Sequence, residues 1–341
     1  MDPSSGIDRS KEIPLRIEFC AGCGAPLEAR WNRIVIVCRH CGSQNAPGQK
    51  GDPVPSSTPD DGRLRLAIDG RTYLILGKLA TGDSTDVFLG RWVQRLGEQV
   101  VIKVLRSASD RDLLVREHAF LRRLHESPLP GTSHFAGLIP EPVACGPARV
   151  GASERFLMVL RWRSGFLHTV EDVMRYYTQG VDPHVAAWVF KRVLEILHWS
   201  HQSGVLHGAV LPPHILIHPR DHGAMLIGWS SAVGATTVGT QRIPAVSRAW
   251  KSWYPAGSSA SPANDVAMAA RSVLAMAGAS TFDSGGTLPG PISSLMIQAA
   301  GGAFSDALAL RTLLSERIVE VFGPPQWHPL WMPGWPALPT P

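Results

Sequence analysis

From Arg63 onward apolar and polar positions alternate in short runs, the period of two expected of half-buried strands. R-L-R-L-A-I-D-G-R-T-Y-L-I-L-G-K-L-A reads as two strands across an Asp69-Gly70 turn, because Asp-Gly between alternating apolar runs favours a tight hairpin. V-F-L-G-R-W and E-Q-V-V-I-K-V-L continue the meander, with Leu96-Gly97 in the turn region. The period then changes to 3.6: Leu113, Leu114, Glu117, Phe120, Leu121 and Leu124 share one face of a helix expected from Asp110 to His125. Strands fit Pro142 to Gly146 and Phe156 to Leu160, and helical patterns follow at Thr169–Tyr177 and Pro183–Gln202. Between Val205 and Ile217 two apolar runs flank a polar, proline-stiffened centre, the composition of a short loop held by buried strands. The remainder is mostly helix and loop. A strand-rich half with one helix, then a helix-rich half, is an α+β order with two lobes.

Before Arg63 the pattern is different. Residues 1 to 16 carry proline, serine and mixed charge without apolar period, a flexible lead-in. Two C-x-x-C-G units follow, Cys20-Ala-Gly-Cys23-Gly and Cys38-Arg-His-Cys41-Gly, fourteen residues apart, with a strand-like I-V-I-V run before the second. Four thiolates at this spacing close a tetrahedron round one structural Zn2+ with no open position, and a module of about 30 residues needs that metal to fold; iron in the same cage or a redox C-x-x-C are the minor alternatives, and no βαβ pattern surrounds either pair. Residues 17–45 resemble a zinc ribbon, with Arg30, Arg33, Arg39 and Trp31 in or beside it. One aromatic favours a protein contact over stacked bases. A Pro/Gly/Ser/Asp linker spans residues 46–62, and beyond Gly323 the tail carries Trp327, Trp331 and Trp335 between prolines that forbid a helix. That tail is expected either to strap its own lobe or to anchor a partner.

Composition changes this picture little. The 341 residues carry a formal charge of +5, scattered, which argues only weakly for an acidic partner or nucleic acid. Met1 to Phe19 lacks the apolar core of a secretory signal, and the longest apolar run, Val266 to Ala279, is broken by Arg271 and too short for a bilayer. A soluble cytoplasmic protein is expected. Four of the five cysteines sit in the two pairs and Cys145 stands alone, which speaks against a disulfide scaffold.

The order of motifs resembles the protein kinase fold over about 260 residues, Arg63 to Gly323. L-G-K-L-A-T-G-D-S-T-D-V-F-L-G is similar to a glycine-rich loop, V-V-I-K-V to the strand bearing the phosphate-gripping lysine (Lys103), and R-E-H-A-F-L to the helix bearing its glutamate (Glu117). H-W-S-H-Q-S-G-V-L-H-G-A-V-L-P-P-H-I-L-I resembles a catalytic loop, A-M-L-I-G-W-S the segment with the metal-binding triplet, and Asp265 the helix-start aspartate that braces the loop. The N-lobe is expected at about 63–162, the C-lobe at about 163–323, and the tail at 324–341.

Taken residue by residue, the same resemblance implies losses. Ala209 stands at the catalytic-base aspartate, His214 at the metal-binding asparagine and Gly228 at the triplet's metal-binding aspartate. A methyl cannot orient a hydroxyl, imidazole is a poor ligand for a hard cation, and phosphoryl transfer is almost wholly positioning and electrostatics. In the glycine-rich loop only Gly82 is retained, with Ala80 and Thr85 at the other glycine positions and Asp83 and Asp86 adding negative charge. Nucleotide binding through Gly82, Lys103 and Glu117 is therefore expected to be weak or vestigial, and ATP with Mg2+ is not expected as a cofactor. Ser231 to Pro255 replaces the activation loop and ends Trp253-Tyr254-Pro255-Ala256 without the closing glutamate. Six histidines from His198 to His222 form no recognised ligand pattern.

The resemblance implies a bacterial-type pseudokinase acting as a scaffold or allosteric regulator in a signalling or stress-response assembly. Some zinc-ribbon-bearing kinase-like proteins of this kind occur with a von Willebrand A-type protein and a metal-dependent phosphatase, so these are the expected partners. Two alternatives stay open. One is a weakly active kinase-fold transferase using ATP through Lys103 and Glu117, with His214 as a substitute base; the other is a nucleic-acid adaptor led by the ribbon.

Overall fold

The computed structural model describes residues 64–95, 98–150, 153–235, 242–255 and 259–332, and the backbone of 36–37 and 44–45. The chain divides into two compact units, one containing Met1–Gly62 and the other Arg63–Pro333. In the first, β1 (Ile36–Val37) and β2 (Gln44–Asn45) pair antiparallel, Ile36 opposite Asn45. These strands flank the positions that carry Cys38 and Cys41. All four expected zinc ligands, Cys20, Cys23, Cys38 and Cys41, lie outside the described residues, as do the lead-in, the linker, Leu96-Gly97 and Trp335.

The second unit begins with a closed barrel. Strands β3 (Arg65–Ile68), β4 (Arg71–Thr81), β5 (Thr85–Trp92), β6 (Gln99–Leu105), β7 (Pro142–Val150) and β8 (Ser153–Arg161) run in the order β3-β4-β5-β6-β8-β7, and β3 pairs back onto β7. All six strands that the alternating runs predict are present, and the added finding is that they close on themselves. Leu66 and Ile68 of β3 are buried, so this short strand contributes a full apolar face and its edge is satisfied by Arg149 and Val150. The Asp69-Gly70 turn forms as expected, with φ of 50° and 71° at its two residues, the left-handed pair a two-residue hairpin requires. Leu66, Ile68, Tyr73, Val100, Ile102 and Val159 belong to the cluster that fills the barrel. Because side chains alternate along β6, Val100 and Ile102 point into that core while Val101 and Lys103 line the cleft outside it. Helix α1 (Arg111–His125) packs beside the barrel through buried Leu114, Leu121 and Leu124, and carries Glu117 on the same buried face.

After the one-turn α2 (Thr132–Phe135) the helical lobe is built on α4 (Pro183–Gln202) and α5 (Pro262–Met276). Both start at capped positions, Asp182 and Ser261, with proline at the first helical residue. Their apolar residues are buried nearly all round, as central helices require. Around them lie β9 (His168–Thr169), α3 (Val170–Tyr176), β10 (Val205–Leu206), β11 (Ile215–His218), β12 (Gly223–Leu226), β13 (Val233–Gly234), α6 (Gly290–Ala300) and α7 (Ala307–Phe322). Strands β9, β11 and β12 form one small sheet, β10 and β13 another. Among the described residues no helix is long and apolar enough to cross a membrane.

The tail runs on without helix through 324–332 and lies on this lobe. Leu330 and Met332 are buried, Tyr177 Oη donates to the Trp331 carbonyl at 2.7 Å, and His222 Nε2 donates to the His328 carbonyl at 2.9 Å. Of the two expectations for the tail, these residues form a strap. Trp327 and Trp331 remain 49% and 44% exposed, so each offers one ring face outward.

Candidate functional site

The stretch Val205 to Ile217 is held from below by one carboxylate. Asp265, in the first turn of α5 and fully buried, accepts from the backbone N–H of His207 and of Gly208, each at 2.8 Å, and from His201 Nε2 at 3.0 Å. Three donors compensate the burial of that charge, and they fix the loop's course. Gly208 has φ of 73°, and a Cβ there would meet the Ser231 carbonyl oxygen at 2.5 Å, so the position between His207 and Ala209 admits only glycine in this backbone. His207 Nε2 donates to the Ile227 carbonyl at 3.0 Å while its Nδ1 accepts from Ala209 N–H at 3.2 Å, which sets the neutral tautomer. Burial pushes its pKa down to about 4. Its ring lies against Trp229, 4.4 Å between centroids.

Lys103 and Glu117 form the ion pair the sequence implies, with Glu117 fully buried and the Lys103 side chain 14% exposed. The other oxygen of Glu117 accepts from Trp229 N–H at 3.2 Å. One carboxylate thus ties the barrel lobe, through α1, to the segment after β12. The pair lines a cleft of about 510 Å³ that also takes in Val101, Thr85, Leu216, His214 and Gly228.

The three substituted positions do more than lack functional groups. His214 Nδ1 donates to the Ala209 carbonyl at 2.8 Å, which aims its imidazole across the cleft floor toward Gly228. Gly228 has φ of 80°, and a Cβ built on it would lie 2.7 to 2.8 Å from three atoms of that ring. The imidazole fills the space that a side chain at position 228 would use. Burial lowers the His214 pKa, so the ring is neutral at physiological pH, and Lys103 nearby acts in the same direction. A neutral ring nitrogen, a methyl and a glycine offer no side-chain oxygen at the positions that the sequence resemblance assigns to Mg2+. The residues present do not fit that ion.

The turn at the glycine-rich position is closed on itself. Gly82 N–H donates to Thr85 O at 2.8 Å, and Arg106, from just past β6, donates to the carbonyls of Gly82 (2.7 Å) and Asp83. Asp86 is paired with Lys78 at 2.8 Å, and that hydrogen bond holds its carboxyl below the usual range. Of the two carboxylates that add negative charge at this turn, Asp86 is thus offset by a neighbour across the hairpin.

The activation-loop substitute is packed where it is described. Ser231 Oγ donates to Ala245 O at 2.8 Å, Tyr254 Oη accepts from Ser247 N–H at 3.3 Å, and Leu206, Val233, Ile243 and Ala260 share a core. Cys145 is half-buried and burial pushes its thiol up to about 11, so it is no nucleophile at neutral pH. Of the six histidines from His198 to His222, His201 and His207 serve Asp265 and the loop. The contact between His214 and Gly228, and the anchoring role of Arg106, were beyond sequence reading. The only signal for the first was a glycine and a bulky ring appearing together at two positions the fold brings face to face.

Comparison with known proteins agrees with this geometry at the level of fold. No protein-family model matches the chain, and no curated protein matches it. Solved structures do. The BubR1 kinase domain is similar with a TM-score of 0.57 at 13% identity, covering 75% of this chain and 83% of that one. A rhoptry kinase from Toxoplasma gondii gives 0.52 at 16% identity, over 74% and 84%. The kinase domain of a Toxoplasma gondii specific rhoptry antigen gives 0.54 at 15% identity, over 79% and 90%. The chain has a bilobal, α+β, protein kinase-like fold.

Proposed function

We propose that this kinase-like body is a pseudokinase, a protein-binding scaffold or allosteric regulator with no or very weak phosphotransfer. One observation carries the reading: the His214 imidazole, fixed by Ala209 O, occupies the space beside Gly228 where a metal-binding side chain would project. Restoring any one of the three groups leaves the other two missing and, at position 228, meets the ring. What the fold keeps is its bracing. The Asp265 hydrogen bonds brace the loop of the helical lobe, and the Lys103–Glu117–Trp229 tie joins that lobe to the barrel lobe, as a docking body requires.

Around this body the reading places a structural zinc held by Cys20, Cys23, Cys38 and Cys41, on the strength of their spacing. It also places the chain in the cytoplasm of a bacterium, with protein partners of the von Willebrand A type and a metal-dependent phosphatase. The half-exposed Trp327 and Trp331 are aromatic anchors of the kind that dominate interfaces. Two assays test this. Incubation with labelled ATP and generic acceptor proteins should transfer no phosphate above a heat-inactivated control. Co-purification from the native host should retain a stoichiometric protein partner; transfer that depends on Lys103, or a chain recovered alone, contradicts the reading.

The weak-transferase alternative has one observation in its favour, the intact Lys103–Glu117 pair facing an open cleft. His214 is a poor substitute base there, because its Nδ1 proton is engaged by Ala209 O and its ring is wedged against Gly228.

A further inference from the structure

The start of α4 and the strap meet in a cluster of side chains that the kinase-like site does not use. Asp182 caps the helix: one oxygen accepts both the backbone N–H and the ring Nδ1–H of His184, each at 2.8 Å. The His184 ring is packed between Phe322, at the end of α7, and His328 of the strap, with centroids at 3.9 Å and 3.6 Å. His328 Nε2 is buried and has no hydrogen-bond partner, although burying an imidazole nitrogen unpaired is costly. The backbone of the same residue is well held, through its carbonyl to His222, and His222 is stacked between Trp188 at 4.7 Å and Trp327 at 5.4 Å. The strap is therefore anchored on both sides of a ring whose own polar atom is left over. One ligand atom from each of Asp182, His184 and His328 lies within 4.8 Å of the other two.

We propose that Asp182, His184 and His328 form a transition-metal site that staples the C-terminal strap to the first turn of α4. Two imidazoles and one carboxylate suit a borderline dication such as Zn2+, Ni2+ or Cu2+, with water completing the shell. Mg2+ and Ca2+, which take oxygen ligands, are excluded by the same donor set. The two rings stack within 9° of parallel, so their in-plane lone pairs do not converge. Ligation turns His328 out of the stack and replaces the Asp182–His184 hydrogen bond with two metal bonds. The site joins residues far apart in the chain, so an ion bound there holds the strap, and with it the outward faces of Trp327 and Trp331, in one position.

The test uses the full-length chain and Zn2+ alone. Equilibrium dialysis at micromolar free zinc is compared between the parent protein and His328→Ala, Asp182→Asn and, as control, His134→Ala on α2. Each site variant should bind one ion fewer than the parent, or bind that ion at least about tenfold more weakly, while the control matches the parent. Because the readout is a difference, the number of ions held by the cysteine pairs does not enter. Zinc should also raise the melting temperature of the parent more than that of either site variant. Equal stoichiometry and affinity in parent and both variants overturns the proposal. Far-UV circular dichroism identifies a variant that fails to fold, and Asp182→Asn, nearly isosteric, then carries the comparison.

Discussion

Gly228→Ala adds one methyl group at the point that the imidazole of His214 already occupies. Two costs arise. The backbone at 228 is left-handed, φ of 80°, where a Cβ costs about 1–2 kcal/mol. The methyl carbon would also lie 2.7 to 2.8 Å from three ring atoms, and inserting a group into a packed site costs about 1–3 kcal/mol. The ring cannot simply swing aside, because its Nδ1 is held by Ala209 O at 2.8 Å. The single substitution should therefore destabilise by about 2–5 kcal/mol, read from urea melts of the full chain. In a His214→Ala background the ring is gone and only the backbone cost remains, so the same methyl should cost about 1–2 kcal/mol. The double-mutant cycle should give a coupling of at least about 1 kcal/mol. If Gly228→Ala costs the same in both backgrounds, the ring does not fill that space and the steric reasoning fails.

Three further outcomes follow from the same structure. Lys103→Ala leaves Glu117 buried without its cation and should cost about 3–5 kcal/mol in the same melts, with Lys103→Arg recovering part of it; an effect below about 1 kcal/mol would show the pair to be idle. Acidification should destabilise the fold through His207. Its folded pKa of about 4 lies below the unfolded value of about 6.5, so the unfolded chain takes up the proton first. Stability is then full above about pH 6.5 and falls toward pH 4 by up to about 1.4 kcal/mol per unit. His214 and His222, both lowered by burial, add in the same direction, and a denaturation midpoint that does not move between pH 7 and pH 5 would contradict the assignment. Leu330→Ala should cost about 2–4 kcal/mol if the strap is part of the fold, and nothing measurable if 324–332 is loosely attached.

Much of this was legible in the chain itself, and the reason differs by residue. Lys103, Glu117, His207 and Asp265 sit on strands, helices and a loop whose periods are strong, and their roles follow from spacing in a fold whose motifs come in a fixed order. The Asp69-Gly70 hairpin and the starts of α3 and α4 rest on contacts within a few residues, which local sequence specifies. The closure of the barrel by β3 was missed because pairing with β7 spans some eighty residues and leaves no local mark. The same holds for His214 against Gly228, Lys78 against Asp86, and the strap against α4. In each case a side chain is satisfied by a partner that only the folded chain brings near. The two expectations for the tail could not be separated in the sequence, because prolines and tryptophans suit a strap and an anchor equally.

Under the proposed pseudokinase reading the cleft beside Lys103 does not use metal-bound ATP, because the His214 imidazole fills the space beside Gly228. Calorimetric titration of the full chain with ATP, in Mg2+ or Mn2+ and again in chelator, tests it most directly. No metal-dependent binding is expected: either no heat at all or the same weak affinity in both buffers. Tight binding that appears only with the metal and disappears in Lys103→Arg would contradict it.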